Sequence, residues 1–226
     1  MNYIQLVRRQ WSIALNDKRF VAVFFANFLF CLVLYFSIAH WLLDNSNRAG
    51  AVIDDPIQAF FKPIDLSYVI GLFTYTSTGL FLAYIVQFPL LLHRVFRSFA
   101  AVFVVRAICI FLLPLAPPAG TIPLYDPITD YAVNEGKILN DLFFSGHVSD
   151  LIIFALAVTH TNLRRWLFFA AFAVGSMLVI QRVHYSIDVF CAGFFAYGCH
   201  RVFVGRTERY SVHQPESVLQ ELPFEN

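Results

Sequence analysis

The amino-acid sequence predicts an all-α, polytopic membrane protein with six transmembrane helices, and three observations support this fold class. Hydrophobic residues make up 58% of the 226 residues and charged residues only 14%, whereas a soluble domain carries about 25% charged residues. The apolar residues gather into six runs. Most of these runs approach the ~20 residues that a helix needs to cross the hydrocarbon core. An ordinary soluble domain and a disordered chain are therefore excluded.

The six predicted spans follow one another closely, which indicates one membrane domain. They cover residues 20–43, 66–91, 98–116, 145–160, 166–181 and 186–204. Two prolines after residue 116 end the third span, because proline interrupts a helix. The resulting division is a cytoplasmic or interfacial N-terminal segment at 1–19, the six-span domain at 20–204 and a polar cytoplasmic tail at 205–226. Apolar residues at helical spacing in the N-terminal segment fit an interfacial helix or a simple topology anchor.

The distribution of Lys and Arg predicts the orientation, because both residues are enriched in short cytoplasmic flanks of membrane helices. With the N terminus in the cytoplasm, eleven of the 16 basic residues lie in such flanks: Arg8, Arg9, Lys18, Arg19, Arg94, Arg97, Arg164, Arg165, Arg201, Arg206 and Arg209. The two longer loops on the other face carry acidic residues instead. Both termini are therefore predicted to be cytoplasmic, and the opposite face to be extracytoplasmic or lumenal.

Composition also limits the partners and cofactors. The formal net charge is +1, so there is no basic surplus to hold nucleic acid. The four cysteines lie inside apolar runs without metal-type spacing, which predicts neither a disulfide framework nor a cysteine metal site. No metal or other cofactor is predicted. The expected partners are membrane lipids as substrates, and a homo-oligomer is left open.

His184 and Asp188 stand four residues apart in RVHYSIDV, where the sixth span begins. Residues at i and i+4 share one face of a helix, so the carboxylate can accept the imidazole Nδ1–H. Such a bond raises the basicity of Nε2 and determines the tautomer. The pattern fits an activated histidine nucleophile, and it equally fits a structural pair. Tyr185 and Ser186 are expected to pack or to cap the helix.

A second histidine, His147, follows Ser145 and Gly146 at the predicted start of the fourth span. Ser145 can cap this helix, Gly146 lets a ligand approach the backbone, and a helix start attracts anions. One helical hairpin joins His147 to His184, so both are predicted on the same face of the membrane. Two histidines can perform phosphoryl transfer without a metal, one attacking phosphorus and the other protonating the leaving oxygen.

Two arginines are candidates for holding the phosphate oxygens. Arg106 lies nine residues into the predicted third span, where a buried charge is costly and indicates function. Arg182 lies two residues before His184. This position fits a phosphate ligand, and it also fits an interfacial anchor. Asp150 shares a helix face with His147, and it fits a role in tuning that histidine or in pairing with Arg106. The 51–65 loop mixes apolar residues with Asp and Pro, and fits a lining of the lipid path or an ordinary interface loop.

The combination of SGH, a helical hairpin and HYSIDV resembles the phosphatidic acid phosphatase type 2 superfamily, and more narrowly its sphingomyelin-synthase-like branch. Asp141 stands six positions before the SGH histidine, as in that branch. Arg106 precedes a Leu-Pro-rich run, LPLAPP, which is the third shared element. The resemblance covers residues 98–204.

The resemblance implies a six-span helical enzyme that acts on a lipid phosphate ester without a metal. His184 would form a phospho-histidine and Asp188 would orient it. His147 would be the acid for the leaving alcohol and then the base for the acceptor, while Asp141 would support His147 or activate the acceptor hydroxyl. The residues expected to bind the substrate phosphate are Arg106, Arg182, Ser145 and Gly146.

Transfer of a phospho-head group between lipid alcohols is the first expectation, and two alternatives stay open. They are a phosphatase for phosphatidate or a prenyl pyrophosphate, and a non-catalytic lipid binder or transporter. The chain departs from the lipid phosphatase pattern, since Lys137 is followed by no Arg-Pro and Leu178 stands at an arginine position. It also departs from the transferase branch at Ala116, where a further acid or histidine is frequent.

Overall fold

The structure is a computed structural model that describes residues 2–44, 48–127 and 142–205. These residues form seven α-helices and one short 3₁₀ helix, Gln58–Phe60, and they contain no β-strand. This confirms the all-α prediction. The α-helices are α1 Tyr3–Asn16, α2 Lys18–Asp44, α3 Ser67–Ile85, α4 Pro89–Leu112, α5 Gly146–Ala157, α6 Thr161–Ile180 and α7 Ser186–Phe203.

Several of the helices have the length and apolarity of membrane spans. Among the described residues, α2, α3, α4 and α6 are long and apolar enough to cross a bilayer, whereas α5 is an apolar helix of 12 residues. On α2, side chains such as Phe25 and Leu29 stay exposed in the isolated chain. Such a continuous apolar surface needs lipid around it. These helices support a membrane protein, while the count of six spans and the sides of the termini stay predictions.

The boundary between the second and third predicted spans is wrong. The structure ends α3 at Ile85 and begins α4 at Pro89, nine residues before the predicted start. Proline suits the first position of a helix because it has no N–H to leave unpaired. It also drives the preceding residue out of the helical conformation, and Phe88 accordingly has φ −121° and ψ 75°. Because α4 ends at Leu112, Arg106 lies only six residues, or about 9 Å, from the end of its helix.

The N-terminal segment forms the amphipathic helix α1. Asn2 and Gln5 cap its start reciprocally, each side chain accepting the other's backbone N–H. The Trp11 indole donates to the carbonyl of Val86 at 2.7 Å. The Tyr3 hydroxyl donates to the carbonyl of Ala83 in the last turn of α3. These bonds tie α1 to the end of α3, and its place at a membrane interface stays a prediction.

Helix α5 is central to the bundle and determines where the candidate site lies. It packs against both α6 and α7, which contact each other much less than each contacts α5. Its Phe154 stacks on Phe81 of α3 with ring centroids 4.1 Å apart. At the other end of α5, the Ser145 N–H donates to the carbonyl of Asp188 at 3.3 Å. This bond places the starts of α5 and α7 side by side at one end of the bundle.

Two extended segments approach each other over this end. The Ala51 N–H donates to the Pro114 carbonyl at 3.0 Å, and the Ala116 N–H donates to the Ala51 carbonyl at 2.9 Å. A Cβ on Gly50 would lie 2.4 Å from the carbonyl carbon of Leu115, so the approach requires glycine. The Leu-Pro-rich run is thus extended chain and not the end of a helix as predicted, because its prolines cannot continue α4.

Candidate active site

His184 and Asp188 form the predicted pair, but with a local geometry that differs from the prediction. Helix α7 begins at Ser186, so His184 lies in the preceding turn and the two residues do not share a helix face. The Asp188 carboxylate caps the helix, because its Oδ2 accepts the Tyr185 N–H at 3.1 Å. The same Oδ2 lies 3.4 Å from Nδ1 of His184. One carboxylate oxygen of Asp188 therefore caps α7 and also lies beside the His184 imidazole. Both side chains are buried, His184 at 4% exposure and Asp188 fully.

Two buried oxygen atoms at the starts of α5 and α7 have no hydrogen-bond partner among the described residues. They are Oδ1 of Asp188 and Oγ of Ser145. Ser145 stands at the cap position of α5, but the prediction that its side chain caps the helix is wrong. Its carbonyl accepts the amide and hydroxyl of Ser149 at 3.2 and 2.7 Å, and the bond from the amide is the ordinary first bond of the helix. A buried hydroxyl without a partner costs about 1–3 kcal/mol, and a bound ligand oxygen would supply that partner.

We expect Ser145→Ala to lower kcat/KM for a lipid phosphate about 10-fold, the equivalent of one hydrogen bond in the transition state. Its thermal midpoint should stay equal or rise, because the change removes a buried unpaired hydroxyl. Ser149→Ala is the matched control, since it also removes a buried hydroxyl but one that is already bonded. That control should lose about 1 kcal/mol of stability and keep its kcat. Full activity of Ser145→Ala would contradict a role for this hydroxyl in phosphate binding.

His147 faces an acidic residue that the sequence analysis did not select. Its Nε2 lies 3.2 Å from Oδ2 of Asp126, and the Tyr75 hydroxyl donates to Oδ1 of Asp126 at 2.5 Å. The carboxylate can thus orient the imidazole of His147. Asp141, the predicted support for His147, lies outside the described residues. The signal that could have identified Asp126 is an acid directly before a proline in a loop on the predicted outer face.

Arg106 reaches from α4 to the start of α5. Its Nε donates to the Phe144 carbonyl at 2.7 Å. A Cβ on Gly146 would lie 3.3 Å from both Cζ and Nη1 of Arg106. The missing side chain at Gly146 therefore makes room for the guanidinium, which lies against the backbone that carries His147. Asp150 lies within electrostatic range of both His147 and Arg106, so its two proposed roles are not separated.

The guanidinium of Arg182 is directed at backbone carbonyls. Nη1 donates to Ala119 at 2.5 Å, and Nη2 donates to Gln58 at 3.4 Å and to Phe61 at 3.3 Å. The residue has φ 61°, which is uncommon outside glycine and turns the chain between α6 and α7. Arg182 thus links the 51–65 loop to the segment around Ala119 through hydrogen bonds. Its contact with phosphate stays a prediction.

The 51–65 loop forms hydrogen bonds to His184 and Ser186, the residues on either side of Tyr185. The Asp55 carboxylate accepts the Ser186 amide at 2.6 Å and the Ser186 hydroxyl at 3.1 Å. The side-chain amide of Gln58 donates to the His184 carbonyl at 2.9 Å. The loop therefore positions the residues on both sides of the first turn of α7. Sequence reasoning did not select Asp55, although it too is an acid directly before a proline.

Tyr185 packs and bonds as expected for a structural residue. It is 1% exposed and belongs to a small apolar cluster with Leu115 and Leu142. Its hydroxyl accepts the Ile53 N–H at 3.2 Å and donates to the Ala116 carbonyl at 2.9 Å. The Tyr185 side chain thus joins the start of α7 to the two extended segments, through Ile53 in one and Ala116 in the other.

The Asp55 contact predicts an acid-dependent loss of stability. Burial opposes ionisation of Asp55, but hydrogen bonds from Ser186 and from the amides of Ile57 and Gln58 outweigh it and lower the pKa of Asp55. A carboxyl with a lowered pKa in the folded state stabilises the fold above its unfolded pKa of about 3.9. That contribution is lost as the pH falls through the folded pKa.

We therefore expect the thermal midpoint of the native protein to fall below about pH 4, and Asp55→Asn to weaken this dependence. At pH 7 the variant should lose about 1 kcal/mol, because the amide keeps one acceptor oxygen but no charge. Asp54→Asn, which changes the exposed neighbouring acid, is the control and should match the native protein. Identical pH profiles for the Asp55→Asn variant and the native protein would contradict the assignment.

The family comparison covers the helices that carry the two histidines. A family model described as PAP2 superfamily C-terminal matches residues 140–204. PAP2 denotes phosphatidic acid phosphatase type 2, so the match supports a place in the superfamily that the motifs predicted. No curated protein matches the chain.

The PAP2 match includes His147, His184 and Asp188, together with α5, α6 and α7. Arg106, Asp55 and Asp126 lie outside the matched range. The match supports an activity of the lipid phosphatase or phosphotransferase type. Among the described residues, no three His, Cys, Asp or Glu side chains are grouped as a metal site requires, and the expected metal independence stays a prediction.

Proposed function

We propose that the protein is an integral membrane lipid phosphotransferase, similar to sphingomyelin synthases, that moves a phospho-head group between lipid alcohols. The observation that carries the proposal is the buried pair of His184 and Asp188, with Nδ1 and Oδ2 3.4 Å apart. This pair lies beside the start of α5, where Arg106 and the unpartnered Ser145 hydroxyl surround the backbone before His147. The PAP2 match supports the class of reaction.

In the first step, Nε2 of His184 attacks phosphorus, and the bond from phosphorus to the leaving alcohol oxygen breaks. Asp188 accepts the Nδ1–H and stabilises the positive charge that develops on the imidazole. Protonated His147 gives its proton to the leaving oxygen. Arg106 balances the charge on the non-bridging oxygens, for which a guanidinium has suitable geometry.

In the second step, the acceptor hydroxyl loses its proton to His147 and attacks the phospho-histidine. The phosphorus–nitrogen bond breaks and His184 returns to its neutral form. Asp126, 3.2 Å from Nε2 of His147, orients this imidazole in both steps. Asp141 stays a candidate for activating the acceptor hydroxyl, as the resemblance implies.

Burial favours an alcohol over water as the acceptor. His184 is 4% exposed and the 51–65 loop bonds to its carbonyl, so bulk water does not surround the nucleophile. The absence of an Arg-Pro pair after Lys137, which departs from the lipid phosphatase pattern, supports the same choice. The proposed location of this end of the bundle is the extracytoplasmic or lumenal leaflet, on the strength of the distribution of basic residues.

A product assay tests this function. Purified protein in detergent, with EDTA present, receives phospholipids labelled in the head group, including phosphatidate, with or without ceramide. A labelled sphingophospholipid that forms only with ceramide is the expected product. Free phosphate or free phospho-head group without ceramide would instead establish a hydrolase. Neither product from a folded protein would overturn the enzyme proposal and favour a lipid binder or transporter.

A further inference from the structure

An apolar groove of about 900 Å³ runs between α6 and α7. Its floor is Val148 and Ile152 of α5, the helix that separates the other two. On α7 the lining residues recur at spacings of three and four from Ser186 to Tyr197, so they form one face of that helix. The groove therefore follows the helix axes and is not a hollow at the surface of a loop.

The groove has the length of one membrane leaflet. Eleven residue steps from Ser186 to Tyr197 correspond to about 16 Å along the helix. Half of the ~30 Å hydrocarbon core is about 15 Å. A groove that starts at the membrane surface would thus reach the midplane of the bilayer.

The upper end of the groove meets the candidate active site. Val148 directly follows the histidine of α5, and Val189 directly follows the aspartate of α7; both line the groove. Ser186 lines it as well, and Ile57 and Phe61 of the 51–65 loop complete its mouth. A phosphate held near the two histidines would therefore have an apolar path beside it.

The long side of the groove is open to the surroundings. Phe172 is 76% exposed, and Phe190 and Phe194 are 65% and 64% exposed. In a membrane these rings contact lipid chains, because this side of the bundle is not covered by another described helix. A hydrocarbon chain can thus pass sideways from the bilayer into the groove without crossing a polar layer.

We propose that this groove binds one hydrocarbon chain of the lipid substrate and that Gly193 allows long chains to bind. This inference rests on the proposed function, since it assumes that the phosphate of the same lipid lies at His184. Gly193 lies seven residues, or about 10 Å, below Ser186 along α7. A Cβ there would lie 3.7 Å from Cδ1 of Ile152, an ordinary contact, so a larger side chain fits the helix and enters the groove.

Gly193→Leu tests the proposal, with Gly198→Leu as its matched control. Gly198 is on the same helix and does not line the groove, and a Cβ added to it would have no neighbouring atom within 4 Å. Ser176→Phe fills the groove from α6 and keeps the test valid if Gly193→Leu unfolds. Binding is measured with dioleoyl and dihexanoyl phosphatidate in detergent micelles, and turnover with the same lipids in the presence of ceramide as the acceptor.

The expected result is a Kd for dioleoyl phosphatidate at least 10-fold weaker in Gly193→Leu and Ser176→Phe, and unchanged in Gly198→Leu. Dihexanoyl phosphatidate should bind all variants within twofold of the native protein. Equal effects on both lipids, or none, would overturn the groove proposal. Chain-dependent binding without turnover of any lipid would uphold the groove and overturn the proposed function. Turnover without any dependence of binding on chain length would uphold the proposed function and overturn the groove proposal.

Discussion

His184→Gln is expected to lower kcat on the order of 10⁴-fold or more, while the protein keeps its fold. Glutamine has no ring nitrogen that can attack phosphorus. The Asp188 carboxylate caps α7 through the Tyr185 N–H, a bond that does not involve the His184 side chain, so the start of the helix is kept. Glutamine is preferable to alanine here, because His184 is buried and its loss would leave a cavity.

The measurement for this variant is turnover together with trapping of the labelled phospho-enzyme. Native protein should carry label on histidine after rapid quenching, and His184→Gln should carry none. His40→Gln is the control, since His40 is an exposed histidine on α2 far along the chain from the site. Substantial turnover by His184→Gln, at an unchanged thermal midpoint, would show that another residue is the nucleophile.

Arg106→Lys is expected to lower kcat/KM about 10²- to 10³-fold, the effect of removing one preorganised donor to a developing charge. Lysine keeps the positive charge but loses the Nε–H that donates to the Phe144 carbonyl. It also loses the planar fork that matches two phosphate oxygens. Because the guanidinium lies against Gly146, the lost geometry is next to His147 and the start of α5.

Arg97→Lys is the matched control for this second variant. Arg97 lies on the same helix, nine residues earlier, and is exposed. It should retain the kinetics of the native protein. A kcat/KM for Arg106→Lys that matches the control would assign Arg106 a structural role. A rise in KM alone would assign it to ground-state binding of the lipid.

Local sequence patterns predicted which residues pair in the candidate site, but they did not predict how those residues are arranged. HYSIDV placed an acid next to His184, and the pair is present. The shared helix face is not, because the start of α7 depends on Asp188 accepting the Tyr185 N–H. The predicted cap at Ser145 is also absent, because the Ser145 hydroxyl makes no hydrogen bond to the first turn of α5.

Short-range information in the sequence was sufficient for the membrane class, the helical content and the superfamily motifs, and it selected the two histidines as candidates. Hydrophobic length and close spacing in the chain carry these features, and neither depends on remote contacts. Packing decided which acid supports which segment: Asp55 contacts Ser186 across 131 residues, and Asp126 contacts His147 from another loop. It also decided that α6 and α7 stay apart around α5. Such contacts depend on how the helices and loops assemble in three dimensions, so no local pattern encodes them.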